Sequence, residues 1–560
     1  MQDFIWYKKY PKGIAHEINL NEYQSLAEMM EVAMKKFSNK VAYVHMDVEM
    51  TYADIDSYSL KFAAFLQTKI GLVQGDRIAI QMPNTIQYVI AMFGALRAGL
   101  IIVNTNPLYT YREMEHQFND SGAKAIVILA NFASLLEKVL PHTPNLKSVI
   151  ITELGDMMPF PKRLLVNAAV KYVKKLVPPY NIPNTYSFRD TLDINVSRFT
   201  KPTIRQDDIA FLQYTGGTTG VSKGAMLTHK NIIANMLQIK EWVKGAAIKE
   251  GEEIVITALP LYHIFSLTVN CFAFFCYGGK NILITNPRDM KAFIGEMAKY
   301  NFTVITGVNT LFNGMLNQAE FAKLDFRYLK VTVAGGMALQ TAVAEKWRQV
   351  TGKPIAEGYG LTESSPVLTC NPVNLTEQVG TIGIPLPSTE IKIFDDDFNE
   401  VPEGERGELC AKAPQVMLGY WNRQDETDKI MQDGWLKTGD IAVMLPDGFF
   451  KIVDRKKDMI LVSGFNVYPN EVEDVVAMHP KVLEVAAVGV PDNKSTEAVK
   501  IYVVKRDETL TESEIREFCK DKLTGYKQPK HIEFRIDLPK SNVGKILRRM
   551  LRDNKKVEDK

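Results

Sequence analysis

The chain has 560 residues, of which 46% are hydrophobic and 24% are charged. This length exceeds what one ordinary core supports, so we expect two to four globular domains. The net charge of +2 gives no electrostatic reason to expect nucleic acid as a partner. The five cysteines form no CxxC pair and no Cys/His zinc spacing, a pattern that favours a reduced, cytoplasmic compartment.

The N-terminal residues lack the apolar core of a signal peptide. The two most apolar segments are 88–103 and 259–279, and polar or charged residues interrupt both of them. Neither provides the roughly 20 clean apolar residues that cross a bilayer. We therefore predict no transmembrane helix and interpret both segments as buried core.

Along the first 375 residues, helical patterns alternate with short apolar strands. Helices are predicted at 25–37 and 51–70, and an amphipathic helix is predicted between the second and third strands. The predicted strands are 41–46, 75–82, 100–106, 123–129, 252–260, 280–285, 302–308 and 328–336. This alternation is typical of an α/β fold whose sheets are largely parallel.

The pattern changes twice towards the C-terminus. From about 379 to 456, short strands with Gly/Pro turns predict a β-rich subdomain. Beyond 458, two helical patterns and two long apolar strands predict a compact α+β unit. We therefore predict a large N-terminal domain over 1–456, which includes the β-rich subdomain, and a mobile C-terminal domain over 457–560.

The stretch "YTGGTTGVSKG", residues 214–224, follows the predicted buried strand "IAFLQ". Its glycines let the backbone approach a ligand closely, and its threonines and Lys223 add donors and a positive charge. This combination favours a site for a triphosphate. The pattern differs from the common P-loop, because Ser222 precedes Lys223 and Gly224 follows it. A flexible surface loop is the alternative interpretation.

The stretch "EGYGLTESSPV", residues 357–367, carries three groups suited to a nucleotide. Tyr359 lies between two glycines, where its ring could stack on a base. Thr362 offers a hydroxyl, and Glu363 offers a hard oxygen ligand for Mg²⁺. The alternative is a loop with an ordinary solvated glutamate.

Three further motifs complete the candidates that the patterns themselves provide. Asp440 in "KTGDI" and Arg455 in "VDRKKD" suit a ribose, because a carboxylate accepts both hydroxyls and an arginine can brace it. Gly335 and Gly336 follow a strand, where bare backbone could line a flat ligand or form a simple turn. Lys545 follows a glycine ahead of a basic helix and could reach a distant anion, or it could be a solvated surface lysine.

These patterns occur in one order between residues 214 and 545, and there the chain resembles the adenylate-forming superfamily. That superfamily contains acyl-CoA synthetases, peptide-synthetase adenylation domains and luciferases. "LPLYHIF", "ITGVNTLFN" and residues 433–476 look like bacterial long-chain fatty-acid–CoA ligases. The resemblance implies ATP-dependent ligation of a long-chain fatty acid to coenzyme A, with acyl-adenylate and pyrophosphate formed first and AMP released second. Such an activity would feed fatty-acid uptake and β-oxidation.

The resemblance also implies roles for individual residues. It assigns ATP or AMP binding to Tyr214, Thr215, Gly216, Gly217, Thr218, Thr219, Gly220, Lys223, Gly335, Gly336, Glu357, Gly358, Tyr359, Asp440 and Arg455. It assigns catalytic roles to Lys545, Glu363, Thr362 and His263, and Mg²⁺ binding to Glu363 and Thr218. It assigns coenzyme A binding to Ser463, Gly464 and Phe465, and the hinge between the domains to Lys457. Two departures affect the phosphate loop, where Ser222 replaces the usual proline and Gly216 the common serine.

Two other functions remain as alternatives. The first is an acyl-AMP ligase or adenylation enzyme that passes a carboxylic acid to a carrier protein. The second is a non-catalytic nucleotide- or acyl-binding protein. The joint presence of Lys545, Glu363 and Asp440 argues against the second, because binding alone does not need the late lysine.

Residues 162–177 are predicted as a basic amphipathic helix. At helical spacing one face carries Arg163, Asn167, Lys171, Lys174 and Lys175, and the other carries Leu165, Ala168, Ala169, Tyr172, Val173 and Leu176. Such a helix suits peripheral contact with an anionic membrane at the inner face of the cell membrane. Packing of the helix on its own domain is the alternative. The sequence leaves the oligomeric state open between a monomer and a homodimer.

Overall fold

The structure is a computed structural model that describes residues 4–215, 222–373, 378–492, 495–541 and 543–552. In this part of the chain, two large sheets, a smaller sheet and a C-terminal α/β layer follow one another. The predicted α/β class with largely parallel sheets is confirmed.

Strands from the first two-thirds of the chain form two sheets. These strands are β1 (Val41–His45), β2 (Val48–Thr51), β3 (Arg77–Gln81), β4 (Ile101–Asn104), β5 (Ala125–Leu129), β6 (Ser148–Thr152), β7 (Tyr186–Ser187), β8 (Ile209–Thr215), β9 (Lys223–Thr228), β10 (Ile254–Thr257), β11 (Lys280–Leu283), β12 (Val304–Gly307), β13 (Val331–Ala334), β14 (Ala356–Gly360), β15 (Val367–Cys370) and β16 (Ile384–Pro385). The seven-stranded sheet has the order β7-β6-β5-β3-β4-β8-β9 and is antiparallel only at β8–β9. The nine-stranded sheet has the order β16-β15-β14-β13-β12-β10-β11-β1-β2 and is antiparallel only near its two ends.

Helices pack on and between these sheets. They are α1 (Leu26–Lys36), α2 (Tyr52–Phe65), α3 (Ile86–Arg97), α4 (Tyr111–Ser121), α5 (Ala133–Val139), α6 (Lys162–Ala168), α7 (His229–Trp242), α8 (Ile264–Ser266), α9 (Phe274–Cys276), α10 (Met290–Met297), α11 (Asn309–Leu316) and α12 (Thr341–Thr351). Several of them begin at a side-chain cap; for example, Thr51 and Asp54 cap the first turn of α2 reciprocally. These caps satisfy backbone N–H groups that the first helical turn leaves unpaired.

Helix α3 is buried on every side, which confirms the interpretation of 88–103 as buried core and corrects the predicted amphipathic pattern. All of its residues are buried, because it packs against α1 and α2 and against strands of both large sheets. A helix in that position has no face towards water, so its sequence is apolar all round. Its one charged residue, Arg97, pairs with Asp56 and lies 3.6 Å from Glu31.

The β-rich region forms a separate five-stranded antiparallel sheet. Its strands are β17 (Glu390–Phe394), β18 (Arg406–Lys412), β19 (Met431–Gln432), β20 (Trp435–Met444) and β21 (Phe450–Arg455), with helix α13 (Gln424–Ile430). This sheet begins later than the predicted residue 379, because residues 384–385 still pair with the nine-stranded sheet. The last strand, β21, leads directly towards the predicted hinge.

The C-terminal residues form a separate layer of strands and helices. Its elements are β22 (Ile460–Val462), β23 (Phe465–Val467), α14 (Pro469–Ala477), β24 (Val482–Asp492), β25 (Thr496–Lys505), α15 (Glu512–Lys520), β26 (His531–Arg535) and α16 (Arg548–Arg552). Its own apolar core contains Ile460, Val472, Val485, Ile501 and Ile515. An independent core of this kind is what a separately moving domain requires.

The segment 162–177 is helical over a shorter stretch than predicted. Helix α6 continues as a wider π-helical turn over Ala169–Val173, and Lys175 has a φ of +53°, which no helix continues. None of its helical residues is buried. Within the described ranges, no helix is both long and apolar enough to cross a membrane.

Candidate active site

One cavity of about 2360 Å³ lies between the large sheets, the five-stranded sheet and the C-terminal layer. Among the candidate residues that the structure describes, all but Ser463, Gly464 and Phe465 line it. The lining candidates are Tyr214, Thr215, Lys223, His263, Gly335, Gly336, Glu357, Gly358, Tyr359, Thr362, Glu363, Asp440, Arg455, Lys457 and Lys545. A pocket for one drug-sized ligand has about 300–1,000 Å³, so this cavity has room for more than one substrate.

Tyr359 and Asp440 meet at one corner of the cavity. The Tyr359 hydroxyl donates to Asp440 Oδ2 at 2.6 Å. Asp440 and Arg455 face each other across the antiparallel strands β20 and β21, and Arg455 Nε lies 3.4 Å from Asp440 Oδ1. Burial, and then the Asp440 charge, raises the pKa of Tyr359 well above its usual value, so the phenol stays a donor. The corner therefore has an aromatic ring, a carboxylate and a guanidinium within one hydrogen-bonded set.

The backbone beside this corner needs glycine. A Cβ on Gly335 would lie 3.1 Å from Phe265 Cε1 and 3.3 Å from the Gly358 carbonyl oxygen, which is tighter than ordinary contact. Gly336 has a φ of +78°, which favours glycine over any residue with a Cβ. The wall after β13 is therefore flat because larger residues cannot occupy it.

Glu357 lies below the same wall and is buried. It accepts a hydrogen bond from the Leu339 backbone N at 3.2 Å. Burial raises its pKa to about 8, so the carboxyl is mainly protonated at pH 7 and can donate a hydrogen bond. A neutral acid at this position suits a polar, uncharged ligand edge.

A second corner combines a lysine with a glutamate. Lys223 lies opposite Thr215 in the β8–β9 pair, at the base of the Gly/Thr-rich loop. It forms an ion pair with Glu426, and its Nζ lies 4.8 Å from the centre of the Tyr420 ring. The Tyr420 hydroxyl donates to Glu363 Oε1 at 2.5 Å. Tyr420 thus connects the loop lysine with the candidate metal ligand.

The predicted loop residues Gly216, Gly217, Thr218, Thr219 and Gly220 lie outside the described residues. Thr362 and Glu363 belong to a single helical turn over Thr362–Ser364 that follows β14. The backbone oxygen of Glu363 accepts from Met417 N at 2.8 Å, which ties this turn to the five-stranded sheet region. The Glu363 carboxylate is therefore fixed at both its backbone and its side chain.

Lys545 extends from the C-terminal layer into the cavity. Its Cε lies 3.4 Å from the position of a Cβ built on Gly336, so the side chain covers the glycine wall. The preceding carbonyl, of Gly544, accepts from Thr310 Oγ1 at 3.0 Å and anchors the loop on the large domain. Burial, and then the nearby Arg455 charge, lowers the pKa of Lys545 to about 8, while Asp440 and Glu363 oppose that shift.

His263 lies near Lys545 in the cavity. Burial, and then the Lys545 charge, lowers its pKa to about 3, so the imidazole is neutral at pH 7. Its Nδ1 accepts from the Phe265 backbone N at 3.4 Å, which assigns the proton to Nε2. Asn84 and Tyr88 fix the loop ahead of His263. The Asn84 side chain donates to Leu259 O at 2.9 Å and accepts from Leu261 N at 2.8 Å, and the Tyr88 hydroxyl donates to Leu261 O.

The three coenzyme A candidates lie elsewhere. Ser463 and Gly464 form the turn between β22 and β23, with φ values of +51° and +83°. Phe465 is exposed and stacks on Tyr526 at a centroid distance of 4.7 Å. In this arrangement Lys545, and not the turn, faces the cavity. Lys457 occupies the turn between β21 and β22, at the edge of the cavity.

Several contributors to the site were not anticipated from the sequence. Tyr420 and Glu426 contact Glu363 and Lys223 at the second corner, and Asn84, Tyr88 and Thr310 position the loops around His263 and Lys545. Tyr420 carried a usable signal, because it follows a glycine in "LGYW" as Tyr359 does in "EGYG". The other four are ordinary residues whose role depends on distant contacts.

An aromatic–carboxylate–guanidinium corner, a lysine–glutamate corner and a lysine from the C-terminal layer meet in one cavity, a combination that suits an enzyme that activates substrates with a nucleotide. The family model described as AMP-binding enzyme matches residues 30–421, and that described as AMP-binding enzyme C-terminal domain matches residues 471–545. The chain belongs to the AMP-binding enzyme family. This confirms the resemblance to the adenylate-forming superfamily.

The relatives agree with this assignment over the whole chain. A long-chain-fatty-acid–CoA ligase from Escherichia coli O6:H1 is 56% identical over 99% of both chains. Its namesake from Haemophilus influenzae is 53% identical over 98% of both chains. Among solved structures, the anthranilate CoA ligase AuaEII in complex with anthranoyl-AMP has a TM-score of 0.85 and 25% identity, covering 95% of this chain and 97% of that one.

The environment of Lys545 predicts an unusual titration. We expect its amine to titrate near pH 8, and Arg455→Gln to raise that pKa because a neighbouring positive charge is removed. Trace acetylation as a function of pH, followed by mass spectrometry of the Lys545 peptide, measures both values. Exposed Lys8 is the internal control. Titration of Lys545 near the ordinary lysine value of about 10.4 would contradict this description of the site.

Proposed function

We propose that this protein is an ATP-dependent ligase that joins long-chain fatty acids to coenzyme A through an acyl-adenylate. The relatives named long-chain-fatty-acid–CoA ligase support it, because their identity of 53–56% extends over both domains. The structural observation that carries the proposal is Lys545, which the C-terminal domain inserts into the cavity of the large domain. A cation delivered in this way suits a reaction in which negative charge develops at a phosphate.

An apolar wall suits the acyl chain. Ile239, Trp242, Val243, Phe265 and Phe274 line one side of the cavity. Transfer of a methylene group from water to such a wall is worth about 0.8 kcal/mol, so each added carbon favours binding until the wall ends. The neutral His263 lies where the acid's carboxylate would enter, and its Nε2–H can donate to that carboxylate without adding a charge.

In the first step, a carboxylate oxygen of the fatty acid attacks the α-phosphorus of ATP. The new bond joins that oxygen to phosphorus, and the bond between the α-phosphorus and the bridging oxygen breaks to release pyrophosphate. Lys545 would bridge the carboxylate and the α-phosphate, and Lys223 would neutralise the leaving phosphates. Asp440 and Arg455 would hold the ribose, and Tyr359 the adenine. No general base is needed, because the carboxylate is already ionised.

The site fits one Mg²⁺ ion. Within the described ranges, no group of three His, Cys, Asp or Glu side chains is placed to hold a metal. Mg²⁺ in nucleotide sites is commonly held by one or two carboxylates together with the substrate's phosphates, so a single protein carboxylate is enough. Glu363 would be that ligand, and Thr218, which lies outside the described residues, stays the second predicted ligand. When bound, the ion would offset charge on the phosphate oxygens.

In the second step, the coenzyme A thiolate attacks the acyl carbon and AMP leaves with the electron pair of the broken carbon–oxygen bond. Ser463, Gly464 and Phe465 would border the path of the pantetheine arm. They belong to the same domain as Lys545 but lie outside the cavity when Lys545 is inside. We therefore propose a rotation of the C-terminal domain at Lys457 between the two steps, which a few backbone dihedrals can absorb.

A substrate panel tests the proposed ligase activity. We expect AMP release with palmitate and coenzyme A, and little with acetate or aromatic acids, because only a long alkyl chain fills the apolar wall. Lys545→Ala is the matched control and should slow adenylation by ~10²–10³-fold. AMP release that needs an acyl-carrier protein instead of coenzyme A would replace this function with acyl transfer to a carrier. Nucleotide binding without turnover of any acid would leave only a binding protein.

The proposed hinge at Lys457 predicts that a single substitution affects the two half-reactions differently. Proline fixes φ near −65° and removes the backbone donor, so Lys457→Pro should keep adenylation and lose thioester formation. Pyrophosphate exchange measures the first, and conversion of preformed acyl-AMP with coenzyme A measures the second. Lys456→Pro, one residue earlier, controls for general damage. Equal losses in both half-reactions for Lys457→Pro would refute the hinge.

We also propose that segment 160–176 contacts an anionic membrane surface. Phe160, Leu164, Leu165, Tyr172 and Val173 are each at least 53% exposed. Large apolar side chains are normally covered by protein, so a cluster of them marks an interaction surface. Lysines interleave with this apolar cluster, and anionic lipid is the partner that would match both features.

Charge reversal tests the membrane surface. Changing Lys171, Lys174 and Lys175 to Glu should weaken binding to vesicles with anionic lipid, by an amount that shrinks as salt is added. The same change at exposed Lys8, Lys9 and Lys12 is the control and should leave binding unchanged. Vesicle sedimentation gives both affinities. If the two triple variants bind equally, the segment is not the docking surface.

A further inference from the structure

Asp454 joins the large domain to the C-terminal layer from a fully buried position. It lies on β21, before the proposed hinge, and its side chain has 0% exposure. Its Oδ2 accepts from the Asn470 backbone N in the first turn of α14 at 2.8 Å, and its Oδ1 lies 3.2 Å from Arg548 Nη1. One carboxylate therefore binds both a helix N-terminus and a guanidinium of the other domain.

Arg548 has its remaining partners within its own domain. Its Nε and Nη2 donate to the two carboxylate oxygens of Glu473 at 2.9 and 2.7 Å, and Nη2 also donates to the Asn470 side chain. Asp458, just after the proposed hinge, lies 3.7 Å away. If the C-terminal domain rotated, Arg548 would keep these contacts, and of its partners only Asp454 would be lost.

Arg548 is coupled to Lys545 through a short, tightly bonded loop. Two hydrogen bonds join Lys545 to Ser541. The backbone N of Lys545 donates to Ser541 Oγ at 3.1 Å, and the backbone N of Ser541 donates to the backbone O of Lys545 at 2.7 Å. Arg548 begins α16 directly after this loop. The Arg548 side chain thus fixes one end of the loop, and the Thr310 contact to Gly544 fixes its tip.

We propose that Asp454 and Arg548 form a clasp that exists only in the adenylation arrangement and positions Lys545 in the cavity. Arg548 and Asp454 act as positioning residues, and the inference rests on the proposed two-step function. The clasp stabilises one arrangement without trapping the enzyme, because opening it exposes a single carboxylate to water and leaves the guanidinium paired. Weakening it should disfavour adenylation and leave thioester formation unharmed.

Asp454→Asn tests the clasp, because it removes the charge and nearly preserves the shape. We expect pyrophosphate exchange at saturating ATP and palmitate to fall about tenfold, a coupling typical of two-state conformational equilibria. Conversion of preformed palmitoyl-AMP with coenzyme A should stay at the parent rate or rise. Lys481→Gln removes an ion pair with Glu514 inside the C-terminal domain and is the matched control, with both half-reactions unchanged. Equal changes of the two half-reactions in Asp454→Asn would overturn the clasp.

A second measurement separates this inference from the proposed function. Amide hydrogen exchange of the peptide over 539–547, without substrates, should be about tenfold faster in Asp454→Asn than in the parent. Exchange in the buried strand β25 should not change, which excludes unfolding of the domain. An unaltered rate in 539–547 would overturn the clasp whatever the enzyme's substrate proves to be. Lack of palmitate activity in the parent, with the exchange difference present, would overturn only the function.

Discussion

The structure depends on one constraint, which is that a lysine from the C-terminal domain completes a cavity built by the large domain. Lys545 covers the glycine wall at Gly335 and Gly336 and lies near the charges of Asp440 and Arg455. A side chain that enters from another domain can be withdrawn without unfolding the site. Under the proposed rotation, the cavity would change its electrostatic character between the two steps, which a lysine of the large domain could not achieve.

The two carboxylates inside the cavity are prepared for ligands in a similar way. Asp440 accepts from the hydroxyl of Tyr359, and Glu363 accepts from that of Tyr420. Each tyrosine hydroxyl satisfies one carboxylate oxygen and orients the carboxylate before substrates arrive. A ribose hydroxyl or a metal ion would then join or replace a single hydrogen bond. Preorganisation of this kind lowers the reorganisation needed at the moment of reaction.

Patterns in the sequence predicted the parallel sheets and several of the polar residues that line the cavity. Alternation of strands and helices gave the sheets, and Asp440 and Arg455, fifteen residues apart, pair across one antiparallel ladder. The interpretation of 88–103 as buried core is confirmed for α3, whereas the amphipathic pattern predicted there is wrong, because strands of both large sheets pack against this helix. The contacts of Arg548 were not predictable, because they too depend on distant parts of the chain. It lies in a basic run that suggests a solvated helix, whereas contacts with the distant Asp454 and Glu473 leave its side chain 14% exposed.

The most direct test of the two-arrangement account is a distance between the domains. Val73 and Ile536 are both exposed and can be replaced with non-canonical amino acids that carry spin labels. Double electron–electron resonance then measures the distance between the two labels. With a non-hydrolysable ATP analogue, the account predicts the single distance that this structure has. With a palmitoyl-AMP analogue and coenzyme A, it predicts a second, resolved distance, which the Lys457→Pro variant cannot reach. One unchanged distance distribution under both conditions would contradict the account.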